Sequence, residues 1–234
     1  MRYAVIALCA SLALPSVCVA EEEIAVGLPA PAFSLRTMNP EVAGTGWLAL
    51  DKYAGEQPED AGSRLVVLSF FASWCGPCKK EMPFLAQLDT MYRPQGLRIV
   101  GVSIDTEEPG MAAARKMIAE NKVAYPVVSD RFNFLARRYL GASAPLPSLF
   151  LVRRDGTIVR IERGYSKDVG ALLLSSIQQE LGVKAAPAAV AGSKASDARS
   201  SAKHPGRTDA KSAARAGARP PAATKPGATT PPES

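Results

Sequence analysis

Seven residues, Leu65-Val66-Val67-Leu68-Ser69-Phe70-Phe71, make a near-continuous apolar run that leads directly into Trp74-Cys75-Gly76-Pro77-Cys78. An apolar run without period-2 alternation marks a strand buried on both faces, and such a strand needs a covering layer above and below it. One cover follows at once. Met82, Leu85, Leu88, Met91 and Tyr92 recur at three- and four-residue spacings, predicting a helix that Pro94-Gln95-Gly96 ends. A buried strand, a tight cysteine-bearing junction and an amphipathic helix commit the chain to an α/β architecture.

The flanking segments extend that reading. Ile24–Leu35 holds Gly27-Leu28-Pro29-Ala30-Pro31-Ala32-Phe33, which predicts an extended lead-in and a short edge strand, because proline gives a sheet no donor. Trp47–Leu50 reads as a short strand and Gly55–Gly62 as a polar loop. Leu97–Ile104 reads as a second buried strand, Gly110–Glu120 as a helix with Met111, Ala114, Met117 and Ile118 inward, Tyr125–Val128 as a short strand and Phe132–Tyr139 as a short helix. Ser148–Val152 and Ile158–Arg163 flank Asp155-Gly156, a hairpin signal, and Val169–Leu181 is a closing helix stopped by Gly182. Strands first alternate with helices and then end in a hairpin and helix. That order predicts a central mixed β-sheet flanked by helices on both faces.

The two ends of the 234 residues do not belong to this domain. Arg2 followed by the uncharged run Tyr3–Ala20, broken at Pro15-Ser16 and closed by Cys18-Val19-Ala20, has the form of a cleaved secretory signal over residues 1–20. Residues 185–234 contain 16 Ala and 7 Pro, no aromatic residue and no large aliphatic beyond Val190. Such a segment buries too little to offset the entropy of ordering, so it is expected to be a disordered basic tail. Residues 21–184 remain as one domain.

The net charge of +6 divides unevenly. The tail has eight Lys and Arg against Asp197, Asp209 and Glu233, whereas residues 21–184 hold 19 basic and 19 acidic residues. A nucleic-acid-binding face on the domain is therefore not expected. The spaced cations of the tail suit an anionic membrane or cell-wall surface.

Removal of the signal takes Cys9 and Cys18 with it and leaves Cys75 and Cys78. An exported chain meets an oxidising compartment, and a bridge across so short a loop constrains little of the unfolded chain. A working redox pair is thus a better reading than a structural staple. The helix start supplies unpaired N–H groups and partial positive charge, which favour a Cys75 thiolate below the free-thiol value of about 8.5. Cys75, nearer solvent, is the expected attacking thiol, and Cys78, one turn in, the resolving one. Pro77 fits the first helical turn and Gly76 leaves the sulfur approachable. A structural zinc site is not supported by two cysteines and a lone His204 in the tail. The competing reading is a Cu(I) metallochaperone or non-catalytic binding module, with Met82 as an added sulfur.

Trp74-Cys75-Gly76-Pro77-Cys78-Lys79-Lys80-Glu81-Met82-Pro83, with the Gly27-x-x-Ala30-Pro31-x-Phe33 opening, resembles the TlpA/ResA branch of exported thioredoxin-fold thiol–disulfide oxidoreductases in the AhpC/TSA superfamily. The likeness runs from about Gly27 to about Leu181. The Pro-x-x-x-Thr-x-x-Cys pattern of peroxiredoxins is missing from the sequence. The resemblance implies a thioredoxin-like fold, catalytic Cys75, Cys78 and Glu81, and a substrate-binding surface from Trp74, Gly76, Pro77, Leu146 and Pro147. Pro147 matches the family's cis-proline, and Glu81 its acidic residue beside the resolving cysteine. It further implies a periplasmic reductant that needs no cofactor beyond the Cys75–Cys78 disulfide and no metal. Its expected partners are disulfide-containing exported proteins, such as apocytochrome c or copper-site assembly factors, and a thiol-type electron donor in the membrane. Two positions depart from relatives. Ser69 stands where cytoplasmic thioredoxins bury an Asp, and Ser148 where CcmG-type reductases often carry Glu after the cis-proline.

Overall fold

A computed structural model describes residues 24–142 and 145–183. The expected signal peptide and tail lie outside the described residues. The strands are β1 (Ser34–Thr37), β2 (Trp47–Ala49), β3 (Leu65–Phe71), β4 (Leu97–Ser103), β5 (Val127–Ser129), β6 (Ser148–Arg153) and β7 (Ile158–Arg163). The helices are α1 (Pro40–Ala43), α2 (Gly76–Tyr92), α3 (Glu108–Glu120), α4 (Phe134–Leu140) and α5 (Lys167–Leu181).

All seven strands form one sheet in the order β2-β1-β5-β4-β3-β6-β7. Strand β3 pairs parallel with β4 and antiparallel with β6, and every one of its seven residues is buried. Leu65, Val67 and Phe71 join the core beneath α2, α3 and α5. Val66, Leu68 and Phe70 join a second core with Leu135, Ala136 and Tyr139 of α4. Helices therefore cover both faces of a mixed sheet, as the order of elements predicts, and the architecture is the thioredoxin-like one that the resemblance implies. No helix among the described residues is long and apolar enough to cross a membrane.

One expectation needs correction. The first strand is not an edge strand: β1 begins beyond the prolines and pairs with both β2 and β5, so β2 forms that edge. The prolines act further upstream, where the lead-in crosses to the β6–β7 hairpin. Gly27 and Ala30 donate to the carbonyls of Ile158 and Gly156, and the Tyr139 hydroxyl donates to Pro31 O at 2.7 Å. Missing proline donors do no harm at such a partial pairing. The strand expected over Trp47–Leu50 stops at Ala49, and Leu50–Lys52 forms a 3₁₀ turn. The short helix α1 was not foreseen. Its preceding residue, Asn39, is buried and donates to Tyr125 O while accepting from Val127 N, which fastens β1 beside β5.

Candidate active site

Strand β3 ends at Phe71, and within a few residues the chain must turn from a doubly covered strand into α2. Asp105 organises that turn. Its buried carboxylate accepts from Ser73 N at 3.0 Å, from Ser73 Oγ at 2.7 Å and from Ser103 Oγ at 2.9 Å, tying the loop before Trp74 to the end of β4. The Asp105 carboxylate thus has its own donors beside the buried strand end, the condition under which a buried charge is tolerated. Asp105→Asn exchanges an acceptor oxygen for a donor amide and weakens hydrogen bonds to a charged group. A loss of about 1–3 kcal/mol is expected, read as a lower urea midpoint of the oxidised protein.

Cys75 occupies the N-cap of α2. Its backbone is extended, its Sγ accepts from Cys78 N at 3.2 Å, and its sulfur is bonded to Cys78 Sγ at 2.05 Å. Gly76 and Pro77 form the first turn, where a missing N–H is harmless. Both cysteines are largely buried, with Cys75 5% and Cys78 1% exposed. Cys75 is the outer one, as expected, but by a narrow margin. One of the free N–H groups of the helix end, Cys78 N, is directed at this sulfur.

Facing the disulfide is the loop that opens β6. The Leu146–Pro147 peptide is cis, as the resemblance implies, and Pro147 itself is buried. Ser148 turns its hydroxyl back onto Pro145 O at 2.7 Å and so closes the loop. Trp74, Cys75, Gly76 and Pro77 on one side, and Ile104, Pro145 and Leu146 on the other, line an open groove of about 450 Å³. Trp74 is 70% exposed, so it forms a wall of this groove rather than a lid over the sulfurs. A larger cavity of about 760 Å³ lies at the other end of β3, around Arg64, Arg153 and Arg154. Its guanidinium groups are committed already: Arg153 to Glu180, Arg154 to the carbonyls of Asp60 and Ser63, and Arg64 to Leu181 O.

Glu81, three positions after Cys78, points into the core and is 1% exposed. The hydroxyl of Ser69 donates to its Oε2 at 3.0 Å, while Oε1 has no hydrogen-bond partner among the described residues. Burial pushes the carboxyl up to about 8, against the smaller opposing effect of the Ser69 hydrogen bond. Tyr125 and Tyr165 are pushed up as well, first by burial and then by the charge of Glu81. Lys79 and Lys80 are exposed, and Met82, the extra sulfur of the copper reading, is packed into the core under α2. The family resemblance singled out Glu81 but not Ser69, its hydrogen-bond partner. The signal was present in the polar residue interrupting an otherwise apolar strand.

The AhpC/TSA family model matches residues 26–161, well over half of the chain. This chain belongs to the AhpC/TSA family. The match takes in the lead-in, the cysteine pair and the cis-proline loop, and stops inside β7. The protein is similar to the thiol-disulfide oxidoreductase ResA of Oceanobacillus iheyensis, at 31% identity over 139 residues, 59% of this chain and 65% of that protein. It is also similar to ResA of Geobacillus kaustophilus, at 30% identity over 141 residues, 60% of this chain and 71% of that one. The chain thus spans just under two thirds of the length of the first of these curated relatives. Among solved structures, a Chlorobium tepidum protein described as a thiol:disulfide interchange protein DsbE superposes with a TM-score of 0.57 at 27% identity. The alignment covers 68% of this chain and 100% of that one.

Proposed function

We propose that this protein is a periplasmic thiol–disulfide oxidoreductase that reduces disulfides in exported proteins through Cys75 and Cys78. The observation that carries the reading is the disulfide itself, set at the N-terminus of α2 and at the floor of an open, mostly apolar groove. The names of the ResA relatives and of the DsbE-like structure support the same chemistry.

In the reduced protein the Cys75 thiolate, favoured by the helix end, attacks one sulfur of a client disulfide. A Cys75–client bond forms, and the second client sulfur leaves as a thiolate. Cys78 then gives up its proton and attacks Cys75 Sγ. The Cys75–Cys78 bond forms, the mixed disulfide breaks and the client departs with two thiols. Two electrons have passed to the client, so a dithiol donor must restore the pair, a role suited to a membrane protein of thiol type. Trp74, Gly76, Pro77, Leu146 and Pro147 form the contact surface for the client segment, and Glu81 in its ionised form takes the Cys78 proton. Apocytochrome c and copper-site assembly factors are suitable clients. No cofactor beyond the disulfide is required. The signal-like residues 1–20 support export, and the basic tail suits an anionic membrane or wall.

The reduction potential of the Cys75–Cys78 couple, equilibrated against glutathione, tests the direction of electron flow. A reductant is expected to lie near the thioredoxin value of roughly −270 mV. A value near the roughly −120 mV of a strong oxidant would reverse the assignment.

A further inference from the structure

We infer that Ser69 is a positioning residue for the resolving step: its hydroxyl holds Glu81 by Oε2 and so favours the ionised carboxylate, the form whose Oε1 can receive the Cys78 proton. The inference rests on the redox reading above and adds a residue that neither the motif nor the family resemblance assigns.

Ser69 sits in a row that ought to be apolar. Side chains of β3 alternate, and Leu65, Val67 and Phe71 pack beneath α2, while Ser69 is the polar member of the same row. It is 3% exposed and lies in register between Gly101 and Leu149. A buried hydroxyl there is unfavourable unless it finds a partner, and Glu81 Oε2 is that partner. Gly101, the register partner of Ser69 on β4, sits against tightly packed apolar and aromatic neighbours. A Cβ at that position would meet Phe71 Cε1 and Val127 Cγ2 at 3.3 Å and Tyr125 Cε2 at 3.5 Å.

The groups around Glu81 are otherwise neutral. Tyr125 comes from the segment before β5 and Tyr165 from the segment before α5, while Cys78 stands three positions before Glu81 on α2, the spacing that puts two residues on one side of a helix. None of the ion pairs among the described residues involves Glu81. Ser69 is therefore the one hydrogen-bond donor that this carboxyl has among the described residues. Because that hydroxyl donates to Oε2, an incoming proton goes to Oε1. In the resolving step, with Glu81 ionised, the Cys78 S–H bond breaks, its proton bonds to Oε1 and its electron pair forms the bond to Cys75 Sγ. The bond from Cys75 to the client sulfur breaks, and the departing client thiolate takes up a proton.

The test uses the full chain and three variants, Ser69→Ala, Ser69→Thr and Glu81→Gln, plus the Ser69→Ala/Glu81→Gln double variant. Titration of the Glu81 carboxyl carbon by NMR reads the pairing directly, and the pH profile of exchange with Ellman's disulfide reads its chemical consequence. Ser69→Ala removes the one donor that the ionised carboxylate has among the described residues, so the Glu81 midpoint should rise by about one pH unit or more. The inflection of the resolving step should rise with it. Ser69→Thr keeps the hydroxyl and should restore both, which a merely structural role would not require. In the Glu81→Gln background, Ser69→Ala should leave the pH profile where Glu81→Gln alone puts it. An unmoved Glu81 midpoint in Ser69→Ala, or Ser69→Thr behaving like Ser69→Ala, overturns the inference. A wild-type protein that exchanges with no disulfide sinks the redox reading and the inference with it, even where Ser69 still governs the titration. The two failures are thus told apart.

Discussion

Cys75→Ser should reduce no client disulfide above the uncatalysed background, whereas Cys78→Ser should accomplish one half-reaction and then stop. The difference follows from where the two sulfurs sit. Cys75 is at the N-cap, with Cys78 N directed at it and the groove open above. Cys78 is a turn further in and all but inaccessible. A hydroxyl in place of the outer sulfur cannot be a thiolate, so the first bond to the client never forms. With serine at position 78 the first bond forms but nothing displaces the client. Mixed disulfides should then accumulate at one client per protein, visible on a non-reducing gel and reversed by dithiothreitol. Cys75→Ser should trap none. Equal trapping by both variants would mean that Cys78 also meets clients, against its burial. Trapping by neither would remove the grounds for a redox function.

The elements that could be read from the sequence are those whose determinants are local. The β3 run, the cysteine pair and the first turn of α2 depend on neighbours within about a dozen residues, as does the Asp155-Gly156 hairpin, and all of them fall where expected. What could not be read depends on partners far along the chain. Nothing near Ser34–Thr37 shows that β5, some ninety residues on, will cover its open side, because that pairing is arranged by Asn39 reaching Tyr125 O and Val127 N. The Ser73–Asp105 tie is invisible for the same reason: each residue is an ordinary loop residue until β3 and β4 lie side by side. Glu81 falls between the two cases. The family resemblance singled it out, but only the structure shows how completely the core encloses it. The polar interruption at Ser69 and a carboxylate in the motif are two halves of one observation, and the sheet brings them together.

The enclosure of Glu81 has a consequence for stability with a definite sign. In the folded protein its carboxyl stays protonated up to about 8, whereas in the unfolded chain it ionises above its ordinary value near 4.5. Between those values folding takes up a proton, so this group's contribution is most favourable below the unfolded value. It declines as pH rises toward the folded value and is constant beyond it. A displacement of that size corresponds to roughly 3–5 kcal/mol of lost stability between acid and alkaline conditions. Asp89, raised by burial, contributes in the same sense, and Asp60, lowered chiefly by its hydrogen bond from Arg98, in the opposite one. The difference between two proteins sharing both groups isolates Glu81. Glu81→Gln keeps the shape and an acceptor for Ser69 but cannot ionise. It should match the wild type within about 1 kcal/mol at pH 5 and exceed it by several kcal/mol at pH 9, in urea unfolding of the oxidised forms. The same variant should slow the resolving step, so the more stable protein becomes the poorer reductant. That opposition between stability and activity is the behaviour of a buried acid retained for its chemistry. A Glu81→Gln protein no more stable than wild type at pH 9 would show that the carboxyl finds solvent or a partner once it ionises.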